Sequence, residues 1–244
     1  MNESGAAQAS LGVLMLETRF PRILGDIGNP GTWPFPVSFR VVDGASPQRV
    51  VREQAAGLLD AFCNAAQELI DAGADGISTT CGFLSLFQKD IAARCSVPVA
   101  TSSLMQAAVV ERLLPPDQRV GILTISAATL EPQHLAAAGV PEGTPVMGTD
   151  GGLEFTRAIL GDELELDVAR AEQDIVDAGM ELLSQHPEVG AIVLECTNMS
   201  PYSHALRAAT GVPVFDIVSF LTWFHAGLVP RDFGTGERGI AKSG

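Results

Sequence analysis

Positive charge is scarce in this chain. It has 15 Lys and Arg against 29 Asp and Glu, a formal net charge of −14. Such a balance repels phosphate backbones and anionic lipid surfaces, so neither nucleic acid nor a membrane is expected as a partner. Lys and Arg form no run, and one Tyr and two Trp leave little for base stacking. No stretch approaches the ~18 uninterrupted apolar residues of a membrane-spanning helix. The opening MNESGAAQAS lacks the basic and apolar regions of a secretory signal. The four histidines, His134, His186, His204 and His225, show no ligand spacing to each other or to the cysteines, so no metal is expected. There is no Walker A motif, no G-x-S-x-G elbow and no G-x-G-x-x-G; GDIGNPG is glycine-rich but lacks the strand-to-helix setting. Only four cysteines occur, none in a C-x-x-C unit. Without an export signal they read as thiols of a cytoplasmic protein rather than a disulfide framework.

What is present is apolar surface: 46% of the 244 residues are hydrophobic and 18% charged, enough to bury a large core as one big or two small domains. Short apolar runs alternate with longer amphipathic segments, which predicts α/β architecture with parallel sheet. Candidate strands are 11–16, 76–78, 97–100, 119–124, 191–194 and 212–215. Apolar residues at helical spacing predict helices within 47–73 and 167–185. Residues 25–36, with three Gly and three Pro, must form a loop, and the polar, Gly-rich segment 231–244 reads as a flexible tail.

The chain repeats itself weakly. A shift of 115 positions lays Cys81 on Cys196, Ser85 on Ser200, and Val97-Pro98-Val99 on Val212-Pro213-Val214. Upstream, LGVLML at Leu11 resembles VGILTI at Val120. In open α/β sheets ligands bind beyond the carboxyl ends of the strands, and both cysteines follow strands directly. Two similar halves with those edges facing would set Cys81 and Cys196 across one cleft. Under this reading residues 1–100 and 214–230 form the first domain, 101–213 the second. The alternative is that any α/β protein reuses strand–turn–helix units.

Thiolates are bases as well as nucleophiles. Two on opposite faces of one carbon remove a proton from one side and return it from the other. A helix N-terminus after each cysteine would favour the charged form. Cys63 and Cys95, by contrast, read as small core hydrophobes.

TTCGF at Thr79–Phe83 and LECTNMSPY at Leu194–Tyr202 resemble the two cysteine motifs of the aspartate/glutamate racemase superfamily. The combination of GDIGNPGTWPFPV, TTCGF, SSLMQ and ECTNMSPY is most similar to the branch that contains the algal dimethylsulfoniopropionate lyases. The resemblance implies two pseudo-symmetric parallel-sheet domains, an active site between them and proton transfer without a cofactor. It makes Cys81 and Cys196 the catalytic pair, with Thr80, Gly82, Thr129 and Thr197 holding a substrate carboxylate. Asn198 stands where glutamate racemases carry histidine, and Gly82-Phe83 where many members have Asn-Thr. Ser102 and Ser103, on the expected sheet edge, are further candidates for substrate contact, or else cap the next helix. Trp33 in the loop either covers a cationic substrate group or packs the loop down. Arg19 either meets a carboxylate or stays on the surface.

The leading expectation is an isomerase that racemises a small amino acid or related carboxylate. The alternative is a carbon–sulfur lyase that uses one cysteine as base. A third is a non-catalytic small-molecule binder on the same scaffold. A homodimer suits this kind of fold.

Overall fold

The computed structural model describes residues 8–230, so the expected tail at 231–244 lies outside the described residues. Two four-stranded parallel sheets form the scaffold. The first contains β1 (Leu11–Met15), β2 (Val37–Val41), β3 (Gly76–Thr79) and β4 (Val99–Ala100), in the order β2-β1-β3-β4. The second contains β5 (Arg119–Thr124), β6 (Val146–Gly148), β7 (Val189–Leu194) and β8 (Val214–Phe215), in the order β6-β5-β7-β8. The two orders are the same.

The repeat extends to individual hydrogen bonds. Ile77 N–H donates to Pro98 O at 3.0 Å, and Ile192 N–H to Pro213 O at 2.9 Å. Thr80 N–H donates to Leu14 O at 2.9 Å, and Glu195 N–H to Leu123 O at 2.8 Å. The VPV segments therefore do the same work in both halves: proline carbonyls accept from the central strand while valines fill the core. β3 and β7 are fully buried, as expected of strands covered on both faces. The edge strands β2 and β6 are half-exposed, and neither carries a continuous apolar run; the sequence alone did not predict them.

Helices are α1 (Leu59–Asp71), α2 (Gln88–Arg94), α3 (Ala107–Leu113), α4 (Pro132–Ala137), α5 (Phe155–Leu160), α6 (Val168–Gln185), α7 (Ser203–Thr210) and α8 (Ile217–Leu228). The helix expected within 47–73 is broken. A π-helical turn at Gln48–Arg52 ends where Gln54 and Ala55 take φ of 54° and 53°, and α1 begins only at Leu59. The helix expected over 167–185 runs as α6, with the Asp167 side chain accepting from Arg170 N–H at its start.

The last helix of each half crosses to the other sheet. α3 follows β4 yet packs Ala107 and Val110 on Val120, Ala191 and Val193 of the second sheet. α8 follows β8 and returns Ile217, Phe220 and Leu221 to Leu11, Val13 and Ala100 of the first. Val214–Phe215 pairs with β7, so the crossing falls after Phe215 and not at 214 as the sequence suggested. Asp216 fixes that crossing. Its carboxylate accepts from Ser219 N–H at 2.7 Å, capping α8, and from the Ser203 hydroxyl at 2.6 Å, at the start of α7. No helix among the described residues is long and apolar enough to cross a membrane.

Removing a cap together with a partly buried acceptor costs about 1–3 kcal/mol. Asp216→Ala is expected to lower unfolding free energy by about that amount in urea denaturation.

Candidate functional site

Cys81 and Cys196 terminate β3 and β7 at equivalent places. Each is an extended residue immediately before a 3-10 turn, Gly82–Phe87 in one half and Thr197–Tyr202 in the other. In both, the cysteine carbonyl accepts from the N–H three residues on, Leu84 and Met199, at 3.1 Å. The facing sheet edges bring both thiols to the wall of one enclosed cavity, lined also by Thr80, Gly82, Asn198, Glu195, Arg22, Phe20 and Phe83. Its volume is about 20 Å³, room for about one water molecule. A carboxylic acid substrate is several times larger and enters only when the walls part.

Two clasps hold the walls. Arg19 and Phe20 N–H groups donate to the Asp162 carboxylate, and the Arg19 guanidinium pairs with its other oxygen at 3.0 Å. Gln54 Nε2 and Gln133 Nε2 both donate to Glu131. Both clasps join the halves through exposed side chains, where ion pairs contribute only about 0–1 kcal/mol.

Glu195, immediately before Cys196, is fully buried. Its Oε2 accepts from the Thr124 hydroxyl at 2.8 Å, while Oε1 has no hydrogen-bond partner. A Cβ built on Gly82 would collide with Oε1 and with the Glu195 carbonyl, so only glycine lets the strand end beside Cys81 lie this close. Burial pushes the Glu195 carboxyl up to about 7, against the Thr124 hydroxyl and Ile125 N–H, which favour the charged form.

That carboxylate adds to the effect of burial on both cysteines. Burial first, and then Glu195, push the Cys81 thiol far above its ordinary value, while Phe83 and Leu84 N–H groups and the Arg22 guanidinium pull the other way. Cys196 is pushed up by burial, Glu195, Cys81 and Asp26, with the Asn198 N–H alone opposing. The expectation that helix N-termini hold these thiols as thiolates therefore fails in the closed site. Amide dipoles are present, but desolvation beside a carboxylate outweighs them. A guanidinium, Arg22, opposes the shift at Cys81, and no cation is among the causes at Cys196.

Among the described residues that line the cavity, Arg22 is the one cation. It pairs with Asp26 at 2.8 Å and donates to the Thr18 hydroxyl at 3.0 Å, with its side chain 11% exposed. The second Asp26 oxygen accepts from Asn198 Nδ2 at 2.6 Å, and Asn198 Oδ1 lies 3.6 Å from the Cys196 sulfur. This chain of contacts ties the glycine-rich loop to the second cysteine. Sequence reasoning stopped at Arg19 and missed Arg22, although Arg22 and Asp26 four residues on were a readable pair.

Of the other sequence candidates, Thr80, Gly82 and Asn198 reach the cavity wall. The rest do not line it. The Thr80 hydroxyl itself accepts from Leu16 N–H at 3.0 Å. Thr197 donates to Thr80 O at 2.7 Å, linking the halves. Ser103 donates to Leu194 O and Glu195 O, Ser102 accepts from Leu104 N–H as a cap, and Thr129 donates to Ser126 O. Trp33 turns into the core under the first sheet, its Nε1 donating to Ile27 O at 2.9 Å. Arg19 is a surface clasp, its side chain 67% exposed. Hydroxyls at these positions serve the backbone because each sits where a strand or turn leaves a polar group buried. Cys63 packs in the core and Cys95 against it.

Comparison with known proteins decides the family. The chain is 31% identical over 238 residues to a dimethylsulfoniopropionate lyase of Durusdinium sp. clade D, covering 94% of this chain and 78% of that protein. It belongs to the family of the dimethylsulfoniopropionate lyases. Dimethylsulfoniopropionate lyase 3 of Emiliania huxleyi is also 31% identical, over 88% of this chain, but the chain spans only 58% of that protein's length. Solved structures of other proteins share the fold. A sulfate-associated mutant of arylmalonate decarboxylase superposes with a TM-score of 0.62 at 17% identity, covering 90% of this chain and 92% of that one. A glutamate racemase isoform from Bacillus anthracis superposes with a TM-score of 0.57 at 14% identity, covering 90% and 83%. No family model matches the chain.

Two outcomes follow from this geometry. A carboxyl whose folded value is raised to about 7 favours the native state at low pH, and that contribution is lost as pH rises through about 7. Glu195→Gln should therefore leave stability nearly unchanged near pH 4.5 and raise it by roughly 2–4 kcal/mol at pH 8, read from thermal unfolding across pH. Gly82→Ala, which drives a methyl into the Glu195 carboxyl, should cost at least about 2 kcal/mol and displace Cys81.

Proposed function

We propose that the chain is a carbon–sulfur lyase that eliminates dimethyl sulfide from dimethylsulfoniopropionate or a closely similar β-sulfonio acid. The observation that carries this reading is the meeting of Cys81, Cys196, Glu195 and Arg22 around one small cavity. The names of the relatives at 31% identity favour the same reaction.

In this mechanism Arg22, the cation on the wall, receives the substrate carboxylate, with Asp26 and Thr18 fixing its plane. The carboxylate also acidifies nothing by itself; the neighbouring guanidinium stabilises the enolate-like charge as the α-proton leaves. Cys81 as thiolate takes that proton. The C–H electron pair becomes the Cα–Cβ double bond, and the Cβ–S bond breaks with its pair onto the sulfonium sulfur. Neutral dimethyl sulfide and acrylate result, and the Cys81 thiol returns its proton to water. Cys196, held neutral, supplies a thiol on the other side of the substrate.

A second reading, racemisation of an amino acid, is favoured by one feature: both thiols border the same cavity, as inversion between opposed acid and base requires.

Headspace gas chromatography of dimethyl sulfide tests the proposal. Wild-type protein should release dimethyl sulfide and acrylate in equal amounts. Cys81→Ala should lower turnover about 10²–10⁴-fold, the usual contribution of a positioned base. If no sulfide appears, and amino acids instead gain α-deuterium in heavy water with loss of optical rotation, the racemase reading replaces this one.

A further inference from the structure

The closed cavity is one positive charge short. Its lining holds an ionisable carboxyl, Glu195, and two thiols, while its one cation among the described residues, Arg22, already faces Asp26. Glu195 is fully buried, and its Oε1 has no hydrogen-bond partner. A buried carboxylate oxygen left bare costs more than almost any other polar group unless a ligand completes it. We infer that Glu195 Oε1 receives the cationic onium group of a zwitterionic substrate, while Arg22 at the same wall receives its carboxylate. This deepens the reading under Proposed function and rests on it for the identity of the onium.

The placement has a chemical consequence. Oε1 lies against Gly82, next to Cys81; burial first, and this carboxylate second, push both thiols up in the empty site. A sulfonium or quaternary ammonium beside Glu195 cancels that field. The thiol then loses the penalty that the Glu195 charge adds to that of burial, so proton loss is easier in the filled site than in the empty one. Phe83 on the cavity wall adds ring surface of the kind on which methylated onium groups sit, while the Phe20 ring carries the Arg22 guanidinium at 4.9 Å. An acid of the same shape without the positive charge brings only a second anion into a pocket that already holds Glu195.

The charged and titratable groups around Glu195 leave its ionisation readable. Cys81 and Cys196 are pushed up and stay neutral, and Tyr202, on the turn after Cys196, is pushed up to about 12 by burial. His134, packed edge-on against Phe83, is pushed down by burial and is neutral near pH 7. The Arg22–Asp26 pair completes the set.

Calorimetry with two non-sulfonium acids of matched shape tests the inference: 3-(trimethylammonio)propionate and its neutral-carbon counterpart 4,4-dimethylpentanoate. Wild-type protein at pH 8 should bind the cationic acid at least about tenfold more tightly, in line with the loss measured when one member of a buried charge pair is removed. The preference should shrink as pH falls below about 7, where the Glu195 carboxyl takes up its proton. Glu195→Gln should bind both acids about equally at pH 8. Should that variant fail to fold, the wild-type pH series decides alone. Equal binding of the two acids by wild type, or a preference that survives Glu195→Gln or acidification, overturns the inference. Because binding is measured and not turnover, the outcomes separate. A cation preference without dimethyl sulfide release sinks the lyase reading only, and sulfide release without a cation preference sinks this one only.

Discussion

The close approach of the Glu195 carboxyl to the Cys81–Gly82 backbone organises everything else at the centre of this molecule. It places one acidic group within the electrostatic reach of both thiols and leaves one of its oxygens without a partner. Charge desolvated at this depth is expensive, and the molecule meets that expense by raising the carboxyl to about 7 and keeping both thiols protonated. The resting site is thus chemically quiet. Under the proposed mechanism its basicity waits on a ligand that alters the local charge, and on the walls parting far enough to admit it. The clasps at Arg19–Asp162 and Gln54–Glu131 are exposed and weak, so the resistance to parting lies in the buried bonds from Thr197 to Thr80 O and from Asn198 to Asp26.

The scaffold reaches this arrangement by using one layout twice. Equivalent strands, equivalent proline carbonyls and equivalent turns deliver Cys81 and Cys196 with matched backbone bonding. Crossed helices α3 and α8 then lock each sheet to the other half. The symmetry breaks one residue before the cysteines. In the first half that position is Thr80, whose hydroxyl serves Leu16 N–H; in the second it is Glu195, whose carboxyl serves the site. A doubled fold thereby yields two unlike environments: Cys81 has a guanidinium beside it and Cys196 has Asp26, so the thiols are not interchangeable.

Much of this was legible in the residues. Cysteine is rare here, and finding it twice at the end of an apolar run with a VPV strand at the same distance revealed both the repeat and the catalytic candidates. The central strands were readable because burial on both faces demands uninterrupted apolar residues. The edge strands β2 and β6 were not, since half-exposed positions carry no such pattern. Direction was the other missing quantity. A sequence cannot say whether Trp33 points to the cleft or the core, or which of Arg19 and Arg22 the loop turns inward. The interior of the protein took Trp33 and Arg22. Glu195, the one charge closing a fully buried strand, is a signal the sequence carries as plainly as the cysteine after it.

Two thiols distant in the chain border a single cavity. Bridging with dibromobimane, which fluoresces fully only when both arms alkylate sulfur, followed by peptide mass spectrometry, measures this most directly. The account predicts one bimane joining Cys81 to Cys196 in mildly alkaline solution, blocked by a bound β-onium acid and sparing Cys63 and Cys95. Separate single adducts on Cys81 and Cys196, with no bridged peptide under any condition, would contradict it.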